Sequence, residues 1–212
     1  MFSRALVLSL LGGALVSAPA AAQSLGLPVV NNGVPTGINL AVDAGFSNAD
    51  AGKATTVGAS ASVGLGFFGV TGTIARYNPK VGDGVWAPGV SGSLRIFGGP
   101  LIPLRVMVQA GVSHWSIGDY KYTHVPISLG IAATIPSPGI SIKPWVAPRI
   151  DILRHPNIDC CNITTGTDSH FGISGGIDLT LLSGISIRAA YDRMSYSGVK
   201  PSILSFGVGF QP

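Results

Sequence analysis

The chain has 212 residues, of which 13 are Lys or Arg and nine are acidic, a charged share of 10% against the roughly 25% of soluble domains. So little charge does not cover an ordinary water-facing surface. The formal net charge of +4 comes from single scattered residues without an aromatic-basic patch, which argues against nucleic acid as a partner. Every acid is Asp, and the 30 glycines follow no collagen-like period.

In chain order, Arg4 precedes an apolar run from Ala5 to Val16 and the small residues Ala18-Pro19-Ala20-Ala21-Ala22. This is the order of a secretory signal peptide, with cleavage expected after Ala22. Residues 23–34 are then expected to form an N-terminal periplasmic segment, and residues 35–212 the folded unit. No later stretch reaches the roughly 18 apolar residues of a membrane-spanning helix.

From residue 36 onward the dominant signal is alternation with period two, and no segment has a helical period. The spacing predicts ten strands, over 36–46, 55–66, 69–77, 88–97, 103–115, 122–135, 140–152, 169–181, 185–194 and 202–211. Pro144 and Pro148 weaken the seventh, because each removes a ladder donor, and eight strands is the alternative count. Most segments have the roughly 9–11 residues of a tilted strand crossing a bilayer. Short connections alternate with long ones, the longest being Leu153–Asp168, as expected of a barrel with turns at one end and loops at the other. Threaded this way, Phe46, Tyr77, Tyr122, Phe171 and Tyr191 lie towards the loop ends, and Phe67, Phe68, Phe97 and Phe210 towards the turn ends. Two aromatic girdles follow.

One face of these strands is aliphatic. The other carries Asp43, Arg95, Arg105, Lys143, Arg149, Asp151, Asp178, Arg188 and Asp192 among Ser, Thr and Gly. As the outside of a soluble carrier this second face is too thinly charged. Turned inward, its ions pair across a lumen while the aliphatic face meets lipid, and closure satisfies the backbone. The fold class expected is therefore all-β, a closed antiparallel up-and-down transmembrane β-barrel. The nine charged residues are its expected lumen network, more often structural than conducting in a narrow barrel.

With its signal peptide, dyad repeat, turn–loop alternation and closing Leu204-Ser205-Phe206-Gly207-Val208-Gly209-Phe210, the chain resembles the small outer-membrane β-barrel proteins over about residues 35–210. The resemblance implies residence in a bacterial outer membrane, contact with its lipid, and recognition of the C-terminal strand by the barrel-assembly machinery. Gln211 and Pro212 after Phe210 depart from the usual terminal aromatic.

Gly64-Leu65-Gly66-Phe67-Phe68-Gly69 has the dinucleotide-binding glycine spacing, but a strand follows it where that motif needs a helix. Gly172-Ile173-Ser174-Gly175-Gly176 has the nucleophile-elbow spacing, but sits inside a strand with no later His. His114 and His124, beside Asp119 or Ser128, make a rim hydrolase the enzymatic alternative to a non-enzyme. His155, Asp159, Cys160, Cys161, Asp168 and His170 cluster around the longest loop without a zinc spacing. Cys160 and Cys161 are expected as a loop disulfide, with free thiols the alternative, and neither cofactor nor metal is expected. The reading is a barrel with a side-chain-filled lumen and a structural or surface-interaction role through its outer loops. A narrow channel for ions or small solutes is the second reading.

Overall fold

Alternating apolar and small polar residues pleat into strands whose two faces differ, and these strands close on one another. In the computed structural model, which describes residues 27, 36–98, 102–159, 162–181, 183–196 and 198–211, the strands are β1 (Thr36–Ser47), β2 (Thr55–Leu65), β3 (Phe68–Asn78), β4 (Val85–Phe97), β5 (Leu104–Ile117), β6 (Tyr120–Ala133), a short β7 (Ile135–Ser137), β8 (Ile140–Asp159), β9 (Asn162–Leu181), β10 (Ile185–Ser195) and β11 (Ser202–Phe210). Neighbours in sequence pair antiparallel, β1 pairs with β11, and β6 pairs with β8. The result is a closed barrel of ten strands, with β7 as an extra piece, so ten holds over eight.

The prolines interrupt the ladder without moving its register. Ser128↔Arg149 and Ile131↔Val146 keep one alignment across the gap opposite Pro148. The same alignment continues as Ile135↔Ile142 in β7, so β7 is the far end of β6, separated at Thr134. The main departure from expectation lies further on. The stretch read as the longest loop is strand, and β8 and β9 run for 20 residues each, paired from Ile140↔Leu181 to Asp159↔Asn162. β6 accompanies β8 only as far as Thr123↔Arg154, and β10 accompanies β9 only as far as Ser195↔Phe171. Beyond those points the hairpin stands above the barrel wall as a two-stranded ribbon.

Tight connections define the turn end. Gly66, with a left-handed φ of 86°, makes the step from β2 to β3, so the Gly64–Gly69 stretch is strand, turn and strand. At the loop end, the single-turn 3-10 helix Ala49–Ala51 is capped by Asn48. Asn48 also accepts from the Ser202 N–H (3.1 Å), and Asp50 accepts from the Lys200 N–H (3.0 Å), which ties the first loop to the last across the β1–β11 seam.

The strands are tilted. A walk along register partners from Lys143 through Asp178, Arg188, Gly207, Asp43, Gly58 and Ala75 ends at Ala87. Ala87 packs with Leu153, which lies on the same strand as Lys143 but far towards the loop end. Such a climb is what closing a sheet into a barrel demands.

The outside is aliphatic. Ile38, Leu40, Val42, Val57, Val63, Ile74, Val108, Ile127, Ile150, Ile173, Ile187 and Val208 are all exposed. The inside holds Asp151, Asp178, Asp192, Arg149, His124 and a set of buried Ser and Thr. Two girdle assignments are corrected by this parity. Tyr77 is buried and donates to the Ala51 carbonyl (2.9 Å), and Tyr122 stacks on the buried Trp115 at 5.8 Å. Both fall on the inward phase of their strands. On the outer wall the loop-side girdle is instead Phe46, Trp86, Phe171 and Tyr191, with Phe67, Phe68, Phe97 and Phe210 exposed at the turn end.

Candidate functional site: the lumen and the loop-side rim

Inward-facing charge from β6, β8, β9 and β10 meets in one cluster. Arg149 donates through Nε to Asp151 Oδ2 (2.6 Å), and through Nη1 and Nη2 to the two oxygens of Asp192 (2.6 and 2.7 Å). Ser174 donates to Asp192 Oδ2 at 2.9 Å, and Arg149 Nη1 also reaches the Ser174 hydroxyl. Asp151 Oδ1 lies 2.8 Å from His124 Nε2. A carboxylate only accepts, so His124 carries its proton on Nε2 and donates. The side chains of Arg149, Asp151, Asp192 and His124 are all fully buried. One guanidinium thus serves two carboxylates, and bidentate pairing of this kind is the strong form of ion pair. Ser174 is a strand residue within this network and not the tip of an elbow.

A second pair lies towards the turn end, where Arg188 Nε donates to Asp178 Oδ1 (2.7 Å). Asp43 faces Arg188 across β11, where Gly207 is the register partner of both. A Cβ at Gly207 would land on the Asp43 carboxylate, so glycine there opens the space between the two charges. Arg95, Arg105 and Lys143 also face inward at the turn end, and among the described residues they join no ion pair. The nine charges read from the sequence therefore divide into one dense cluster, one pair with Asp43 beside it, and three cations at the turn-side mouth.

Apolar layers lie above and below the dense cluster. Met107, Trp145, Ala75, Ala132, Ala147 and Ala190 form one of them, and Leu27 packs into it from the N-terminal segment. Leu27 sits against Gly58, where a Cβ would collide with its Cδ1, and Trp145 lies over Gly176. At the loop end Ala54, Tyr77, Ala87, Trp115 and Leu153 form the second layer. Met194 and Ile203, with Tyr196 against them, close the remaining side. The Tyr196 ring also meets His170 at 3.8 Å, and burial holds its phenol above the ordinary range. Sequence reading assigned no part to Leu27, Trp145 or Met107. Trp145 and Met107 share the inward phase of their strands with the charges and were legible by that rule, whereas Leu27 lies outside any periodic segment.

Of the rim candidates, His114 faces outward and bonds Thr123 (3.1 Å), while His124 is committed to Asp151 inside. The structure does not bring the two histidines into one site. His155 Nε2 meets Asp168 Oδ2 at 2.9 Å across the ribbon, so these two members of the long-loop cluster are brought together. Among the described residues no group of His, Cys, Asp and Glu has the arrangement of a metal site. Cys160 and Cys161, expected at the ribbon tip, lie outside the described residues, as do residues 1–26 and 28–35.

A closed barrel with an aliphatic wall and an ion-paired interior is a transmembrane β-barrel, of the kind found in bacterial outer membranes. No protein-family model matches the chain, and no curated protein sequence does. Among solved structures it is similar to the β domain of the Bordetella autotransporter BrkA, with 14% identity, a TM-score of 0.52, and coverage of 83% of this chain and 98% of that one. The NanC porin aligns with 12% identity and a TM-score of 0.49, covering 82% of this chain and 100% of that one. Neisserial surface protein A aligns with 15% identity and a TM-score of 0.40, covering 84% and 98%. At these identities the likeness is one of fold.

Proposed function

We propose that this protein is a non-enzymatic barrel of the bacterial outer membrane with a closed lumen, and that its role, structural or in surface interaction, is carried by the β8–β9 ribbon above the loop-side rim. The observation that supports this most is the Arg149–Asp151–Asp192 cluster. It ties β8 to β10 over the inner face of β9, with apolar layers on either side and Leu27 inserted into one of them. An open pathway would require separating fully buried ion pairs, which is costly. His124, one of the two histidines that the sequence offered for general-base chemistry, is shielded from solvent and engaged by Asp151. Assembly through the C-terminal strand fits β11, which ends with the aromatic Phe210 exposed on the lipid side and paired to Leu40 of β1.

Planar-bilayer recording of the purified full chain tests the closed lumen. The expected trace lacks discrete steps, and reproducible unitary conductance would replace this reading with the narrow-channel one. Incubation with envelope lipids and peptides tests the absence of hydrolysis. Turnover abolished by His114→Ala or His124→Ala would overturn it.

A further inference from the structure

The charges of the barrel are sorted by face as well as by end. Every inward Lys or Arg of the turn half (Arg95, Arg105, Lys143, Arg188) has no outward counterpart there. Among the described residues the outward wall carries four cations, Arg76, Lys121, Arg154 and Arg193, all at the loop-side edge of the aliphatic band. Among the described residues the wall up to the level of Arg154 carries no Asp: Asp43, Asp151, Asp178 and Asp192 face inward, Asp50, Asp83 and Asp119 lie in the connections, and Asp159 and Asp168 stand on the ribbon, where Asp168 is held by His155. A cation at the edge of a hydrocarbon band meets the headgroup layer, where anionic lipid attracts it.

Two of these cations, Arg154 and Lys121, converge on one place. His114, Thr123 and Arg154 are register partners across β5, β6 and β8, forming one outward row just above Val112, Val125 and Ile152. The His114–Thr123 hydrogen bond holds two of them together. Lys121 stands one step further out on β6, opposite Ser116. At this point β6 stops following β8, and the gap between the β5–β6 tip and the base of the ribbon is a cavity of about 470 Å³ whose lining includes His114, Lys121, Thr123, Arg154, Thr165 and one acid, Asp119. Around the barrel, Arg76 lies over the exposed Trp86 ring at 5.7 Å, which anchors another cation at the same boundary.

We propose that this cavity binds the phosphorylated headgroup of a lipid in the loop-side leaflet, with Arg154 and Lys121 on the phosphate, the His114–Thr123 row beside it, and the acyl chains descending over the wall at Val112, Val125 and Ile152. The site is open to lipid along its lower edge and to water above. It accepts a ligand that is anionic at one end and apolar at the other, and it is independent of whether the lumen conducts.

The test is native mass spectrometry of the full chain released from bilayers of phosphatidylcholine and lipid A in equal amounts. The wild type is expected to retain lipid A over phosphatidylcholine by about tenfold or more, the scale set by two cations at an anionic headgroup. Arg154→Gln/Lys121→Gln brings the ratio close to one, whereas the lumen variant Arg105→Gln/Lys143→Gln leaves it unchanged. Heat-modifiable gel migration identifies folded barrels, and Lys121→Gln alone, at an exposed strand end, serves where the double variant fails that check. Equal retention of the two lipids by the wild type, an unchanged ratio in the rim variants, or an equal loss in the lumen variant would each overturn the site. So would displacement of lipid A by excess inorganic phosphate, which marks a free-anion site instead.

Discussion

Arg149 uses both edges of its guanidinium on carboxylates, Nε on Asp151 and the Nη pair on Asp192, in a place where all three side chains are out of solvent. Removing the cation leaves two buried carboxylates without the guanidinium that serves both, with Ser174 beside Asp192 and His124 beside Asp151. Breaking such a network from one side costs about 3–5 kcal/mol, far more than an exposed pair would. Arg149→Met is therefore expected to lower the unfolding free energy by about that amount in denaturant titrations of the lipid-reconstituted barrel. Arg154→Met, on the outer wall, is expected to change it by less than about 0.5 kcal/mol. Equal effects of the two would show that the inner cluster does not hold β8 to β10. Sequence parity put all nine charges on one face, and that much follows from period two alone. It did not show that Arg149 meets Asp192, because β9 lies between their strands and the partners are chosen by side-chain reach across it. Nor did it show that Arg95, Arg105 and Lys143 gather at the turn end without an ion pair among the described residues, because that depends on tilt.

At the scale of the element, the β8–β9 hairpin is where pattern and structure part. The sequence reading stopped the seventh strand at residue 152 and resumed at residue 169, because alternation fades between them. Alternation is written by the contrast between lipid and lumen. Above the wall both faces of the ribbon meet water, so Asn157, Thr164, Thr165, Thr167 and Ser169 carry no such contrast, although the backbone goes on pairing to Asp159↔Asn162. Pairing without burial of the faces adds little to the barrel. Excision of residues 156–165, with His155 and Gly166 rejoined through Asn-Gly, uses a two-residue connection suited to a β-hairpin. Barrel stability is expected to stay within about 0.5 kcal/mol of the wild type, because Leu153, His170 and the pairs below them remain. Any surface-interaction activity would be lost with the ribbon. A barrel that fails to reach its heat-modifiable form after this excision would show that the ribbon takes part in folding.

At the scale of the whole molecule, ten strands with one aliphatic and one ionic face allow two opposite barrels, and the composition chose between them before any coordinate did. A wall with so few charges is at low free energy only against hydrocarbon, and a lumen with so many only where they pair. Closure, strand number and orientation were legible for this reason, since each follows from satisfying backbone groups and matching a face to its solvent. The insertion of Leu27 was not, because one leucine in an aperiodic segment carries no directional signal. The three tryptophans make the orientation measurable. Trp86 is 56% exposed on the outer wall near the loop-side edge, whereas Trp115 and Trp145 are 3% and 5% exposed inside. Single-Trp proteins, with the other two replaced by Phe, are expected to divide accordingly in bilayers of brominated lipid. The Trp86 protein is strongly quenched, and more so with bromine near the headgroup than at the chain end, while the other two keep most of their emission. Strong quenching of Trp145 by brominated chains, with Trp86 responding only to aqueous iodide, would mean that the aliphatic face is enclosed and the ionic face outside. The wall, the paired lumen and the lipid site at the rim would then fail together.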